Sequence, residues 1–270
     1  MTTDLTEARP NAAPAADDPS TVLADLEAGV VRAAEPAPAE PGGWRVNPEV
    51  KSAILAVFRD RTEATWQVGP FRYRDRAGLP PRDLSGDAWR IVPGGTSIRA
   101  GVHLEAGVVV MPPSYVNVGA WIGSDTMVDS HVLVGSCAQI GARVHLAAGA
   151  LIGGVLEPAG ARPVIVEDEA FVGADSALLD GVLVRRGAVI GAGVSLTGTS
   201  RLYDIVNERI LEGTTSDPLV VPEAAVVVPG SRPVSGEFAT RNGLMIATAL
   251  IVKYRDQGTD ARVALETALR

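Results

Sequence analysis

A six-residue period dominates the sequence from residue 98 onward. Aliphatic residues recur at every sixth position without a miss from Ile98 to Ile152. Small or apolar residues stand four positions after them, as Val102, Val108 and Ser114 show. An α-helix has a period of about 3.6 residues and a strand a period of two, so a period of six indicates a short strand and a turn repeated many times. This pattern is typical of a hexapeptide β-helix.

The period is interrupted once and then resumes. The segment 156–163 shifts its phase by two positions, and the aliphatic positions continue from Val166 to Leu202. With three hexapeptides to a coil, the repeats predict about six coils and a prism roughly 27 Å long. An aromatic content of only 4% agrees with a narrow core of Val, Ile, Leu and Ala. A β-sandwich with accidental spacing is the alternative, and two phased runs argue against it.

Four segments are predicted from these patterns. Residues 1–20 are mostly Ala, Pro, Asp and Thr and predict a disordered tail. Residues 21–90 predict a small, mainly helical domain, because apolar residues have helical spacing and Pro48 suits a first helical turn. The β-helix is expected over 91–220. Residues 221–270 are expected to cap its open end with a buried strand at 243–254 and a helix at 260–270.

Composition excludes several classes of function. Asp and Glu number 32 against 24 Lys and Arg, a net charge of −8, which argues against a nucleic-acid partner held by general electrostatics. Cys137 is the single cysteine, so neither an internal disulfide nor a cysteine-based zinc site is expected. No apolar run is long enough to cross a membrane, and the acidic N-terminus does not resemble a secretory signal. These features predict a cytoplasmic protein without a membrane partner.

Several strings are more specific than the repeat itself. MVDS at 127–130 is followed, after a gap of four, by GSCAQIG at 135–141, with IGGVLEP at 152–158 and AWRIVPGG at 88–95. From about residue 21 to the C-terminus the chain closely resembles the tetrahydrodipicolinate N-succinyltransferases. This resemblance implies a left-handed β-helix acyltransferase that moves a succinyl group from succinyl-CoA to the amino group of L-2-amino-6-oxopimelate, in lysine and diaminopimelate biosynthesis. It also implies a homotrimer, with sites between neighbouring prisms and no metal.

The resemblance carries roles onto individual residues. Asp129 matches the family's substrate-binding aspartate, whose carboxylate would bind the substrate ammonium and take a proton from it. Arg90 matches an arginine that grips a substrate carboxylate, for which a planar guanidinium is well suited. His131 stands where the family often has tryptophan and is expected to tune the substrate pocket.

One position departs from the family pattern. In FVGADSALLDG the family's second substrate-contacting carboxylate, a glutamate, is replaced by Ala177. Asp175 is expected on the same outward side of the strand, and we hypothesise that it partly replaces that glutamate as a catalytic carboxylate. The competing interpretation is an acyltransferase of specialised metabolism that acts on a different amino-acid acceptor.

Acyl-CoA is expected to lie in the groove between prisms. The amides of its pantetheine arm would meet backbone groups at Gly154, Ala174 and Gly193, where small residues allow close approach. Lys253 and Arg255 are candidates to meet the phosphates, although solvated charges at a strand end are an equal alternative.

Other functional classes fit the sequence less well. A β-helix carbonic anhydrase needs three converging imidazoles, and the spacings between His103, His131 and His145 do not correspond to whole coils. His145 is expected to be outward and structural, although other hexapeptide acyltransferases use a histidine base. Cys137 has no recognisable activating neighbour and is expected to be structural. Positions 99, 105, 111, 117 and 123 hold no threonine or serine, which excludes an ice-binding array.

Overall fold

The structure is a computed structural model that describes residues 19–86 and 88–255. Most of the predicted disordered tail at 1–20, and the predicted terminal helix at 260–270, therefore lie outside the described residues. The predicted fold class is confirmed: the central part of the chain is a left-handed parallel β-helix. Within the described residues, no helix is both long enough and apolar enough to cross a membrane.

The N-terminal segment mixes helices and strands. Its elements are α1 Pro19–Glu27, β1 Ala34–Pro36, β2 Trp44–Val46, α2 Pro48–Arg59, β3 Glu63–Val68 and β4 Phe71–Arg76, with a 3₁₀ turn at Pro41–Gly43 between β1 and β2. The expectation of a mainly helical domain at 21–90 is therefore wrong in part, because β1–β2 and β3–β4 are antiparallel hairpins. Aromatic and β-branched residues favour strands at 63–76, and Gly69, at a φ of +57°, begins the reversal between them.

Seventeen short strands, each two residues long, build the coils. They are β5 Arg90–Ile91, β6 Ser97–Ile98, β7 His103–Leu104, β8 Val109–Val110, β9 Tyr115–Val116, β10 Trp121–Ile122, β11 Met127–Val128, β12 Leu133–Val134, β13 Gln139–Ile140, β14 His145–Leu146, β15 Leu151–Ile152, β16 Ile165–Val166, β17 Phe171–Val172, β18 Ala177–Leu178, β19 Leu183–Val184, β20 Val189–Ile190 and β21 Ser195–Leu196. Each pairs in parallel with strands one coil away, so Met127 lies between Val109 of the preceding coil and His145 of the following one.

The C-terminal elements close one end of the prism. They are β22 Arg201–Asp204, β23 Arg209–Glu212, β24 Val220–Val221, β25 Ala225–Pro233, α3 Glu237–Arg241 and β26 Met245–Tyr254. Strand β26 pairs with both β25 and β22. The strand predicted at 243–254 exists, but the expectation that it is buried is wrong for its first half, where Met245 and Ile246 are exposed because β26 runs past the prism.

Three sheets form the sides of the prism, and we number them by their first strand. Face 1 contains β5, β8, β11, β14, β17, β20 and β25; face 2 contains β6, β9, β12, β15, β18 and β21; face 3 contains β7, β10, β13, β16, β19 and β24. The second residue of each strand points inward, and side chains such as Ile122, Val128 and Val134 are fully buried. Aliphatic stacking along the axis is therefore what the six-residue period encodes.

The N-terminal segment covers the edge between faces 2 and 3. Leu26 of α1 and Ile54 of α2 pack in one buried cluster with Val118 and Cys137 of the β-helix. Faces 1 and 2 also meet at an edge, formed by the turns that follow the face 1 strands. We call this edge the 1–2 corner, and the candidate site lies there.

Candidate active site

Asp129 and His145 lie together at the 1–2 corner. Strand β14 stacks directly on β11, so His145 pairs with Met127, and Asp129 follows Met127 closely in the chain. The carboxylate Oδ2 of Asp129 is 3.8 Å from His145 Nε2, with side-chain exposures of 34% and 12%. The distance is within ion-pair range and longer than a hydrogen bond. A half-exposed carboxylate is thus backed by a nearly buried imidazole.

Neighbouring groups hold Asp129 in place. Its amide donates to the carbonyl of Leu146, and its carbonyl accepts a hydrogen bond from Ser114 Oγ. The amide of Ser130 donates to Asp129 Oδ1 at 2.7 Å. With Oδ1 engaged by the backbone, Oδ2 is the oxygen that faces the imidazole. The turn therefore presents one carboxylate oxygen in a defined direction.

Phe171 forms the other boundary of the imidazole. Its ring meets the His145 ring edge-on, with centroids 5.1 Å apart and planes at 84°. Phe171 stands on β17, one coil beyond His145 on face 1. Packing against this ring restrains the imidazole and keeps water away from that side.

His131 and Asp175 occupy equivalent places along the 1–2 corner. His131, Asp175 and Gly193 have left-handed φ values of +62°, +55° and +71°, and the amide of each donates to a carbonyl one coil away. The expectation that Asp175 shares the outward strand side of Ala177 is wrong, because Asp175 belongs to the corner and Ala177 to β18 on face 2. The carboxylate of Asp175 lies close to Gly149, where an added Cβ would come within 2.2 Å of Oδ1.

Arg90 is exposed on face 1. Its row continues through Val109 and Met127 to His145, each one coil further on. Two coil rises, about 10 Å, separate the backbone of Arg90 from that of Met127. A flexible arginine side chain spans much of that distance, so the structure places Arg90 and Asp129 on the same side of the prism.

The four predicted cofactor residues are only partly brought together. Ala174 and Gly193 are neighbours at the 1–2 corner, where the Gly193 amide donates to the Ala174 carbonyl and Gly193 has open space around it. Gly154 lies at the other edge of face 2, packed against the backbone of Ser136.

The two basic residues predicted to meet the CoA phosphates are also separated. Lys253 is exposed on β26, beside Val226. Arg255, proposed beside it for the phosphates, instead donates to the carbonyls of Glu169 and Gly187.

Sequence reasoning did not pair His145 with Asp129. The signal was available, since His145 stands one full coil after Met127 and Asp129 follows Met127 closely.

His103 and Cys137 lie outside this site. His103 is on face 3, stacked on Trp121, and burial lowers its pKa. Burial raises the pKa of the Cys137 thiol to about 12, although nearby Lys51 opposes the shift, which agrees with a structural role.

A separate groove of about 720 Å³ lies between the N-terminal segment and face 3. Arg32, Trp44 and Trp121 line it together with residues of the turns between faces 3 and 1. Arg32 lies 3.8 Å from the Trp121 ring, and burial lowers its pKa to about 10 against the opposing pull of carboxylates, Glu105 first among them. None of the predicted site residues lines this groove.

Comparison with known proteins agrees with this architecture. Residues 87–112 and 163–198 match the family model described as the hexapeptide repeat of succinyl-transferase, and residues 4–59 match the tetrahydrodipicolinate N-succinyltransferase N-terminal model. A 2,3,4,5-tetrahydropyridine-2,6-dicarboxylate N-succinyltransferase of Idiomarina loihiensis is 41% identical over 92% of this chain and 87% of its own. This chain belongs to the tetrahydrodipicolinate N-succinyltransferase family. The resemblance in the MVDS and GGVLEP strings is thereby confirmed.

Further relatives of the family are similar over the same extent. A 2,3,4,5-tetrahydropyridine-2,6-dicarboxylate N-succinyltransferase of Xylella fastidiosa is 39% identical over 92% of this chain and 86% of its own. Among solved structures, a 2,3,4,5-tetrahydropyridine-2-carboxylate N-succinyltransferase of Campylobacter jejuni superposes with a TM-score of 0.53. That superposition covers 91% of this chain and 63% of the other, at 18% identity, and it supports the fold alone.

Proposed function

We propose that this chain is a CoA-dependent N-succinyltransferase acting on L-2-amino-6-oxopimelate, the ring-opened form of tetrahydrodipicolinate. The observation that carries the proposal is the half-exposed Asp129 carboxylate, whose Oδ1 is held by the Ser130 amide and whose Oδ2 faces His145, in a chain 41% identical to an enzyme of that name. The relatives' shared name does not favour the alternative of a different acceptor.

The chemistry requires a neutral amine and a thioester. Asp129 binds the ammonium group and removes one proton from it. The amine nitrogen then attacks the thioester carbonyl carbon, and the carbon–sulfur bond breaks with its electron pair on sulfur. The nitrogen gives up a second proton as the amide forms, and the CoA thiolate takes up a proton. No metal is needed for these steps.

The two ends of the acceptor are assigned to different residues. Arg90 is proposed to bind the distal carboxylate, since it lies on the same face about two coils from Met127. His131, beside Asp129 at the corner, is proposed to border the pocket. Asp175 is proposed as a further catalytic carboxylate, because Ala177 supplies none.

Succinyl-CoA is proposed to run along the 1–2 corner. Ala174 and Gly193 offer closely spaced small residues two and three coils beyond Asp129. Three coil rises span about 14 Å, comparable to an extended pantetheine arm. Lys253 remains a predicted contact, whereas Gly154 lies at the other edge of face 2, away from this path.

A homotrimer would complete the groove. Leu133 and Leu151 form an outward apolar row on face 2, and each is 38% exposed. We place a second copy of the chain against this row, next to the 1–2 corner. Leu151→Arg should dissociate the assembly in sedimentation-velocity runs, whereas Val30→Arg, at another exposed apolar position, should not.

A cytoplasmic location is proposed from the metabolic role.

The decisive assay measures thiol release from succinyl-CoA with L-2-aminopimelate as a stable acceptor analogue. The wild type should release thiol only with acceptor present, and Asp129→Asn should lose at least about 100-fold in kcat. Asp217→Asn is the matched control, because Asp217 is an exposed aspartate remote from the 1–2 corner. Acceptor-independent release, or full activity in Asp129→Asn, would contradict the proposal.

Two further variants test position 177. Asp175→Ala with normal folding should lose activity if Asp175 shares the acid–base work, and unchanged kinetics would remove it from the site. Ala177→Glu restores the carboxylate that the family resemblance implies. If the wild type releases no thiol with L-2-aminopimelate and Ala177→Glu does, the wild-type pocket accepts a different amine.

A further inference from the structure

We infer that His145 holds the proton that Asp129 removes from the substrate ammonium. In this scheme the proton moves from the ammonium nitrogen to Asp129 Oδ2 and on to His145 Nε2. The two atoms are 3.8 Å apart here, and the transfer occurs when the substrate complex closes them to hydrogen-bond distance. His145 does not touch the substrate, so it is a positioning residue that acts through Asp129. The inference rests on the proposed function and deepens it.

His145 is more deeply buried than Asp129. His145 keeps only 12% of its side-chain surface exposed, whereas Asp129 keeps 34%. Face 1 covers the imidazole on both sides, with Met127 on β11 and Phe171 on β17. The ring is therefore largely screened from solvent, and the more exposed Asp129 connects it with the open corner.

The charges around His145 favour a proton on its ring. Both strands that flank His145 place uncharged side chains beside it, and the turn after β11 brings the Asp129 carboxylate within ion-pair range. Arg90, the cation on the same row, is three coils away, about 14 Å. An imidazolium ion formed here would face the Asp129 carboxylate, which stabilises it.

An imidazole is a stronger base than a carboxylate. A carboxylate with an ordinary pKa near 4 is a weak acceptor for an ammonium proton, and an imidazole with a pKa near 6.5 is stronger by a factor of roughly 300. Ala177 leaves face 2 without a carboxylate at that position. Coupling Asp129 to an imidazole therefore supplies the basicity that a single carboxylate lacks.

The proton balance closes. The pair gains one proton from the ammonium, and the nitrogen–carbon bond forms as the carbon–sulfur bond breaks. The second nitrogen proton goes to the thiolate, which yields the amide and the CoA thiol. The proton held by the pair is then released to water through the half-exposed Asp129, so one proton is produced per turnover.

Two substitutions separate proton storage from orientation. His145→Gln keeps a hydrogen-bond donor near the Nε2 position and cannot take up a proton, whereas His145→Leu removes both properties. We expect at least about a 30-fold loss of kcat in both variants, with KM for the acceptor within threefold. The acidic limb of the wild-type kcat profile should disappear between pH 5.5 and 9 in His145→Gln. Full activity and an unchanged limb in His145→Gln would overturn the inference.

His103→Gln is the matched control, since His103 is a half-buried histidine on face 3 outside the site. It should keep the wild-type kcat and pH profile. Melting curves of all variants identify any that fail to fold, and in that case titration of the wild-type ring still tests the pair.

A measurement independent of activity uses the small number of histidines. The chain has three, so the ring C2 proton of His145 can be assigned by NMR with the three single His→Gln variants. Asp129→Asn should lower the titration midpoint of the His145 ring by at least half a pH unit and leave His103 unchanged. An unmoved midpoint would overturn the inference. A shifted midpoint in a protein that releases no thiol would leave the pair intact and reject the proposed function instead.

Discussion

Lys51 on α2 donates a hydrogen bond of 2.7 Å from Nζ to the carbonyl oxygen of Ala161. A second bond reaches the carbonyl of Pro158. The Lys51 side chain is fully buried, and this burial lowers its pKa. Both acceptors belong to the loop that shifts the phase of the repeat between β15 and β16. A single side chain of the N-terminal segment therefore anchors the one interruption between the two runs of coils.

Replacing this lysine should destabilise the loop. Lys51→Met keeps the length of the side chain and leaves two carbonyls without their donor, so we expect a loss of about 1–3 kcal/mol in the free energy of unfolding. Urea denaturation measures it. Lys253→Met is a matched control for stability, because Lys253 is the other lysine of the chain and is exposed, and it should change by no more than about 0.5 kcal/mol. Equal effects of the two substitutions would contradict this role of Lys51.

Asp204 predicts a specific acid sensitivity. Burial alone would raise its pKa, but hydrogen bonds from Asn207, Tyr254 and Arg209 outweigh burial and lower the pKa to about 2. A folded-state pKa below the unfolded value near 4 stabilises the fold at higher pH. That contribution, about 2 kcal/mol, is present above pH 4 and is lost as the pH falls toward 2.

Tyr254→Phe tests this network. The phenol donates to Asp204 Oδ2 at 2.8 Å, so its removal should cost about 1–3 kcal/mol at pH 7 and weaken the dependence on pH between 4 and 2. Tyr203→Phe is the control, because Tyr203 is on β22, the strand that pairs with the Tyr254 strand, and it should retain the wild-type dependence of stability on pH. Thermal unfolding at a series of pH values distinguishes them, and parallel curves for all three proteins would disprove the role of Asp204.

Cys137 should be inert in the folded protein. It is fully buried, and its pKa of about 12 leaves almost no thiolate at neutral pH. At pH 8, Ellman's reagent should label Cys137 of the native protein less than one thousandth as fast as it labels Cys137 of the urea-unfolded chain. Rapid labelling of the native protein would show that the cluster around α1 and α2 opens readily.

Thr126 links two coils from inside the prism. Its buried hydroxyl donates to the Gly141 carbonyl at 2.8 Å and accepts from the Val144 amide at 3.0 Å. Thr126→Val preserves shape and leaves both backbone groups unpaired, which should cost about 2–4 kcal/mol. Thr199→Val at an exposed position is the control. A melting temperature unchanged in Thr126→Val would mean that the hydroxyl contributes nothing net.

Arg90 should act on binding of the acceptor. Arg90→Gln removes the charge at an exposed position, so the fold should persist while KM for 2-aminopimelate rises about 10- to 100-fold. The KM for succinyl-CoA should stay within threefold. Arg72→Gln, an exposed arginine on β4, is the control for charge. A changed KM for succinyl-CoA alone would place Arg90 at the other substrate.

The prism was predictable, and the segment in front of it was less so. Repeated coils make the same contacts once per coil, so the aliphatic period directly reports the buried row that contains Ile122 and Ile140. The hairpin at 63–76 carries no such repeat. Its Trp66 and Tyr73 alternate with polar residues over too short a span to stand out from the neighbouring helical pattern.

The site was predicted in its parts more than in its arrangement. Asp129 and Arg90 follow from matched strings, and both lie on face 1 or the corner beside it. The repeat misplaces Asp175 because a six-residue pattern does not separate strand from turn, whereas a left-handed φ of +55° turns that residue into the corner. Side-chain direction at a corner depends on backbone angles that the period does not record.

The amino-acid sequence by itself determined the coil, its length and its family, because a hexapeptide period is a local rule that each coil satisfies with its immediate neighbours. Only the tertiary structure decided which side chains meet. His145 reaches Asp129 because two coils stack in register, and Lys51 reaches Ala161, far along the chain, because α2 packs beside the loop. Such contacts depend on how separate elements are placed in space, and no periodicity along the chain encodes that placement.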